Sequence, residues 1–432
     1  MLGMKIIQSF WTKPLFADEQ NIYQNRYNGG WINYRYCLLS MAYSCLTISK
    51  VYPELEIYTD DYGLQLLGEE LCLPYKVFHA DLNAIDLDPA LWAYAKMFTY
   101  SLQQESFLHV DNDIFIWGVF PDEIIKARVA CQNIEQIVPN STDDYIRALG
   151  YMHKKFKSIP RIFSEGENTH AANMGIFGGN DLQFIHYYSL EAMNNVHSMY
   201  EDILCSGKNK GRFNVILEQL FLTKYAQEQN KAICYLLKES KTTDITKFLS
   251  IEAAQYEGKF MHSLGALKKS PYICEQIEYR MKSDFPEYYN RIIEYLKSRG
   301  LSYPENEQSM SKYDDFNDIY SQIKTIKGRD DILCDVSVKL KSKYSLERID
   351  ESIYLQDEIE RHQLKNWGKL LLFFESAATG EEVCQYVMAQ NLLPSISLEQ
   401  LRQSVFHLIM QGLYMNKTLD RSEEHTSELQ SQ

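Results

Sequence analysis

The 432-residue sequence predicts an α/β fold: a mostly parallel sheet domain with helices on both faces, followed by a mostly helical C-terminal domain. Three observations carry that reading. Residues 4 to 115 alternate short apolar runs with stretches of helical periodicity, the pattern of a wound parallel sheet. From about residue 285 the apolar spacing becomes helical throughout. Between the two regimes lies Ser302 to Asp315, rich in Asn, Glu, Ser and Asp, which reads as a linker.

Element by element, Ile6 to Trp11 is a short buried strand, and Tyr34 to Ser49 has the spacing of a helix. Leu55 to Thr59 is a second strand, bounded by Pro53 and by Asp60-Asp61. A helix over Leu64 to Glu70, a strand at Tyr75 to His79, a helix over Leu91 to Gln104 and a strand at Phe107 to Val110 continue the alternation. Val129 to Gln132 and Asn173 to Gly179 read as further strands, and Phe213 to Tyr225 as a helix. The sheet domain is expected over 4–275, with helix and linker over 276–315 and the helical domain over 316–420. Within that last domain Tyr288 to Arg299 (just before it), Ile349 to Phe374 and the segment after Ser397 are read as helices. Ser397 and Gln400 make a capping box, and Gly412 stops the helix. The run of helix, Gly412 and Leu413-Tyr414-Met415 suits either plain helix packing or the opening of a winged-helix unit.

A net charge of −14 and pI near 5.3 argue against non-specific capture of nucleic acid or an anionic membrane surface. Any phosphate site must therefore be built locally. Nine cysteines without a C-x-x-C pair point to reduced thiols rather than a disulfide framework. No run of eighteen uncharged apolar residues and no signal-peptide pattern occur, so a cytoplasmic location is expected, with Met4 as a candidate start. Residues 421–432 have the form of a translated sequencing adapter and are set apart from the fold, His425 with them. Asn140 and Asn416 fit the N-glycosylation pattern, which a cytoplasmic chain would not use.

In wound sheets ligands bind beyond the carboxyl ends of the strands, so the residues that follow each strand matter most. Phe107-Leu108-His109-Val110 delivers Asp111-Asn112-Asp113, two carboxylates at i and i+2 that can share one hard cation, a nucleoside diphosphate supplying further oxygens. Alone the pattern is weak, because acidic residues often end strands as solvated turns. A partner lies at His262-Ser-Leu-Gly265-Ala-Leu-Lys268. There an imidazole can complete a metal shell, a glycine lets backbone approach phosphate, and a lysine can neutralise the diphosphate.

Together D-x-D and H-x-x-G-x-x-K resemble the family-8 glycosyltransferases, the group that includes glycogenin and bacterial lipopolysaccharide galactosyltransferases, over residues 4 to 275. Asn173-Met-Gly175, Glu218-Gln219 and Lys96 are similar to that family's sugar-site and basic positions, in the same order. The resemblance implies a GT-A (Rossmann-like) domain that uses Mn²⁺ or Mg²⁺ and a nucleoside-diphosphate sugar. It puts Asp111, Asp113 and His262 on the metal, Lys96, Asn112, Gly265 and Lys268 at the donor, and Asn173, Glu218 and Gln219 around the transferred sugar. Lys268 is followed by Lys269-Ser270-Pro271 and not by the family's Pro-Trp, and the first strand ends in Ser9-Phe10-Trp11-Thr12, so the chain reads as a divergent bacterial relative whose nucleotide is unassigned.

The implied reaction is hexosyl transfer, retaining by resemblance, to a glycan, lipid or peptide hydroxyl. Glu218 or Asp181 would be the candidate bases of an inverting course. Two other classes stay open. One is a non-catalytic module binding a sugar-nucleotide or a peptide. The other is a phosphatase of the haloacid-dehalogenase type with Asp111 as nucleophile, although there the motif usually lies near the N-terminus, whereas about a hundred residues precede it here.

Overall fold

The structure is a computed structural model. It describes residues 4–16, 27–137, 144–164, 169–238, 251, 254–255, 259–269, 271–301, 333–334, 337–340, 342, 344–349, 352–356, 361–364, 366–394, 397–410 and 419–421. Two compact units divide the chain, Met1–Lys269 with Ile273–Pro304 and Ser270–Tyr272 with Glu305–Gln432.

The first unit is built on a seven-stranded sheet of order β3-β2-β1-β4-β7-β6-β8. Its strands are β1 (Lys5–Phe10), β2 (Glu56–Thr59), β3 (Val77–His79), β4 (Phe107–Val110), β6 (Ala130–Gln136), β7 (His170–Gly179) and β8 (Cys234–Tyr235). All neighbours pair in parallel except at β7, which runs against both β4 and β6. The expected mostly parallel sheet is therefore present, with one reversed strand at its centre.

Alternation along the strands fixes which helix covers which face. Phe107, His109 and Phe177 put their rings against Tyr100 of α3 (Ala93–Ser101). From the opposite face Gln8 donates to Ser44 Oγ, at 2.9 Å, on α1 (Tyr34–Val51). The helix starts at Asn33, whose side chain accepts from Tyr36 N, and is buried from Tyr34 to Ile48. A helix apolar on all sides must be enclosed. Here Ser44 Oγ donates to Ile114 O at 2.6 Å on one side, while Arg35 forms an ion pair with Glu278 and a 2.9 Å hydrogen bond with Tyr289 on the other.

Those last contacts place the helices Pro271–Asp284, from Ile273 onward, and Pro286–Ser298 in the first unit. The boundary expected near 275 falls instead near 304, because the two helices complete the cover of α1. The polar stretch 302–315 lies outside the described residues, as do 411–418 with their winged-helix reading, residues 422–432, and the sequons at Asn140 and Asn416.

π turns occur within helical segments that flank the sheet. After the short helix α2 (Asp61–Leu64) the chain continues as Gln65–Glu70, and between Phe213–Val215 and Phe221–Glu228 lies Ile216–Leu220. The second turn is held by Tyr188 OH, which donates to Glu218 O at 2.9 Å.

The described residues of the second unit, where a mostly helical domain is expected, combine helices with two small antiparallel sheets. β10 (Ser337–Leu340), β14 (Ala378–Thr379) and β15 (Leu419–Arg421) form one three-stranded antiparallel sheet. β11 (Ser345–Ile349), β12 (Ser352–Gln356) and β13 (Arg361–Leu364) form another. Within the helix expected over Ile349 to Phe374, strands thus stand at Ser352–Gln356 and Arg361–Leu364, while Asn366–Phe374 is helical, of the 3-10 type. The segment around Ile353-Tyr354-Leu355 is β-branched and aromatic, which suits a pleated surface. The helices Gly380–Ala389 and Leu398–Met410 are present. Ser397 and Gln400 cap the latter reciprocally, as the capping box predicts. Among the described residues no helix is long and apolar enough to cross a membrane.

Gly178 gives a direct test of the central strand. Its φ is +155°, and a Cβ there would lie 2.0 Å from the Phe107 carbonyl oxygen. Gly178→Ala is expected to cost about 3 kcal/mol or more, read as a lower Tm. Gly207→Ala, at φ +60° with nothing within 4 Å, should cost only about 1 kcal/mol.

Candidate metal and donor site

β4 ends at Val110, and Asp111-Asn112-Asp113 then turns the chain into β5 (Ile114–Ile116), with Ile114 N donating to Asp111 O at 3.1 Å. The two carboxylates are therefore carried by a turn and not by the strand alternation expected from i and i+2. The turn is pinned on three sides. Asp111 N donates to Gly175 O (2.9 Å), Gln8 Nε2 to Asp111 O (3.3 Å), and Asn112 Nδ2 to Ser9 O (2.8 Å).

β5 pairs antiparallel with β9 (Phe260–His262), with Ile114 opposite His262. This two-stranded ladder, closed by Ser263 N donating to Asp113 O at 3.0 Å, brings His262 beside the turn. One ligand atom each from Asp111, Asp113 and His262 lies within 4.8 Å of the others.

The imidazole is oriented from behind. A bulge in β6 between Cys131 and Asn133 re-aims buried Gln132, whose Oε1 lies 2.7 Å from His262 Nδ1 while its Nε2 donates to Asn133 Oδ1. An amide oxygen accepts only, so Nδ1 carries a proton and Nε2 faces outward. Nε2 is 3.3 Å from Asp113 Oδ1. Such a contact calls for a positive charge, a metal ion or a proton, between the two. Carboxylate and imidazole groups placed so could hold a divalent cation. Asn112 Oδ1, buried and without a hydrogen-bond partner, adds an acceptor at the same turn. Gly175 makes the arrangement possible, since a Cβ there would meet His262 Cε1 at 2.6 Å and Gln132 Oε1 at 2.5 Å.

Two buried ammonium groups balance the carboxylates. Lys96 Nζ reaches Asp111 Oδ1 at 3.0 Å, Glu218 Oε1 at 2.8 Å and Met174 O at 3.2 Å. Burial opposes its charge, but the Asp111 and Glu218 carboxylates more than offset that and raise its pKa. Lys268, on the turn Gly265–Lys269, forms an ion pair with Asp113 and donates to Gly29 O at 3.3 Å. Beneath the turn His109 bonds Ser9 Oγ at 2.8 Å, and burial, with the nearby Lys96 charge, holds its pKa well below the usual histidine value. It stays neutral.

A cleft, partly open to solvent, adjoins the turn. Its lining includes Lys96, Asp111, Asn112, Asp113 and Lys268, together with Ser9, Phe10, Trp11, Trp31 and Trp92. Three of the chain's five tryptophans thus meet in one place. Sequence reasoning did not single out these aromatics. The signal available was that Phe10 and Trp11 stand at the carboxyl end of β1, where such sheets bind ligands.

The other expected site residues lie elsewhere. Glu218 is 0% exposed on the π turn, and it reaches the turn through Lys96 rather than by facing a sugar. Asn173 Nδ2 donates to Glu135 Oε1 at 2.6 Å and its Oδ1 accepts from Gly175 N. Tyr145 OH links Glu135 to Gln219. Asn173 and Gln219 therefore belong to a polar chain outside the cleft lining. Gly265, exposed at φ +36°, starts the Lys268 turn and is not in the lining. Asp181 caps the helix Leu182–Ser198 and pairs with Arg128 and Lys231, which commits it structurally.

A search of curated proteins returns no match. Among solved structures the chain is similar to the glycosyltransferase GlyE of Streptococcus pneumoniae TIGR4, at 11% identity and a TM-score of 0.29, over 71% of this chain and 66% of that one. The apo form of GlyE gives 10% identity with the same TM-score and coverage. The chain spans just under two thirds of that structure's length, and a likeness at this TM-score carries no argument about fold or chemistry. A family model described as "Family of unknown function (DUF6734)" matches residues 4–295, more than half of the sequence. The chain belongs to that family.

Proposed function

We propose that this chain is a divalent-metal-dependent glycosyltransferase that moves a sugar from a nucleoside-diphosphate sugar to an acceptor hydroxyl. One observation carries the reading: Asp111, Asp113 and His262 Nε2 converge beside an aromatic cleft whose wall holds Lys268.

In this reading Asp111, Asp113 and His262 hold the cation, which neutralises the diphosphate leaving group. Lys268 offsets charge that develops on the departing phosphates. The faces of Trp11, Trp31 and Phe10 offer stacking surface to a base or a sugar ring. Lys96 and Glu218 keep Asp111 in place, and Gln132 keeps the imidazole in the tautomer a metal requires. Among the lining residues the carboxylates are Asp111 and Asp113, both committed to the cation. Neither Glu218 nor Asp181, the candidate bases of an inverting course, is among the described lining residues, and the retaining course rests on the resemblance alone. The same feature suits a non-catalytic nucleotide-sugar-binding module, in which donor is bound but turned over no faster than in buffer.

Thermal melting tests the site. At a nucleoside diphosphate concentration about 100 times Kd with saturating Mn²⁺, the wild-type protein gains about 2.7 kcal/mol. Asp113→Ala and His262→Ala each remove the shift; a shift retained in His262→Ala contradicts the assignment. Hydrolysis of simple phosphate esters that depends on Asp111 and ignores His262 would instead point to a phosphatase.

Glu218→Gln leaves Lys96 with one carboxylate in place of two. The expected loss is roughly 3 kcal/mol of stability in urea unfolding, together with weaker Mn²⁺ binding. A variant as stable as wild type would show that the buried pair does not organise the turn.

A further inference from the structure

The two lysines that balance the turn are held differently. Lys96 has two carboxylates and a carbonyl as partners, within 3.2 Å, so it is locked into the core. Lys268 forms an ion pair with Asp113 and donates to Gly29 O. It rides on a short turn opened by Gly265, a glycine at φ +36° with no neighbouring atom within 4 Å of where a Cβ would stand. Its ammonium also lies 5.9 Å from the Trp31 ring centroid, on the wall of the cleft.

A divalent cation between Asp113 and His262 and the Lys268 ammonium compete for the same carboxylate. Asp113 Oδ1 faces His262 Nε2, while Oδ2 is taken by Lys268. We propose that Lys268 is a resident counter-ion of the metal site: it holds Asp113 in the metal-free state, and cation binding releases it toward the cleft, where its charge becomes available to a diphosphate. This rests on reading Asp111, Asp113 and His262 as the cation site. Lys268 thereby links the two ligands. It weakens metal binding on its own and strengthens nucleotide binding once the metal is present, so cation and nucleotide each favour the other through one side chain.

Titration calorimetry of Mn²⁺ alone into the nucleotide-free chain tests the idea. Removing an opposing charge within a few ångströms changes an ionic equilibrium roughly tenfold or more. Lys268→Gln should therefore bind Mn²⁺ at least about tenfold more tightly than wild type, and then bind UDP, GDP or ADP more weakly at saturating Mn²⁺. Lys268→Arg keeps the charge, pairs more firmly with the carboxylate, and should bind Mn²⁺ no better than wild type. If Lys268→Gln does not fold, a Lys268→Arg variant that binds Mn²⁺ more tightly than wild type overturns the proposal. Unchanged or weaker Mn²⁺ binding by a folded Lys268→Gln, while Asp113→Asn abolishes binding, overturns the counter-ion role and leaves the metal site standing. A wild-type chain that binds no Mn²⁺ overturns both.

Discussion

Two carboxylates separated by one residue repel each other, and at the end of a buried strand they lose the water that would screen them. Much of the first unit is arranged around this constraint at Asp111-Asn112-Asp113. Lys96 projects from α3 to Asp111, Lys268 comes from a distant turn to Asp113, and Glu218 in turn anchors Lys96. Backbone contacts from β1 and β7 hold the turn at fixed distance from the sheet. Charge balance at one turn thus ties together segments that are far apart in sequence.

The same constraint gives the site its chemistry. Among the described residues three carboxylates, at Asp111, Asp113 and Glu218, face two ammonium groups and a histidine whose Nδ1 is committed to Gln132. The cluster therefore keeps an appetite for positive charge, concentrated where His262 Nε2 faces Asp113. Conformation follows chemistry here: the β6 bulge at Gln132 and the absence of a side chain at Gly175 exist in the space the imidazole needs.

What could be read in the sequence divides along physical lines. Local periodicity located β1, β2, β4, β7, α1 and α3, because burial of one face writes itself into spacing over a few residues. Asp111, Asp113 and His262 were legible as residue types that ligate hard cations, and the structure brings them together. Pairing direction was not legible, so the reversal of β7 went unseen; strand alternation is the same in parallel and antiparallel ladders. Glu218 illustrates a second limit. Nothing local distinguishes it from a solvated helix residue, since its burial depends on Lys96 in another element and on a π turn that rotates it inward. In the second unit, segments near Ile349 to Phe374 combine apolar and polar residues in a way that suited helix and strand alike, and cross-strand pairing decided for strand.

The most direct measurement is anomalous diffraction at the manganese edge from crystals grown with Mn²⁺ and a nucleoside diphosphate. The account predicts one strong peak roughly 2.0–2.3 Å from carboxylate oxygens of Asp111 and Asp113 and from His262 Nε2, with phosphate oxygens on its open side. No peak at the turn, or a peak that leaves His262 uncoordinated, would contradict it.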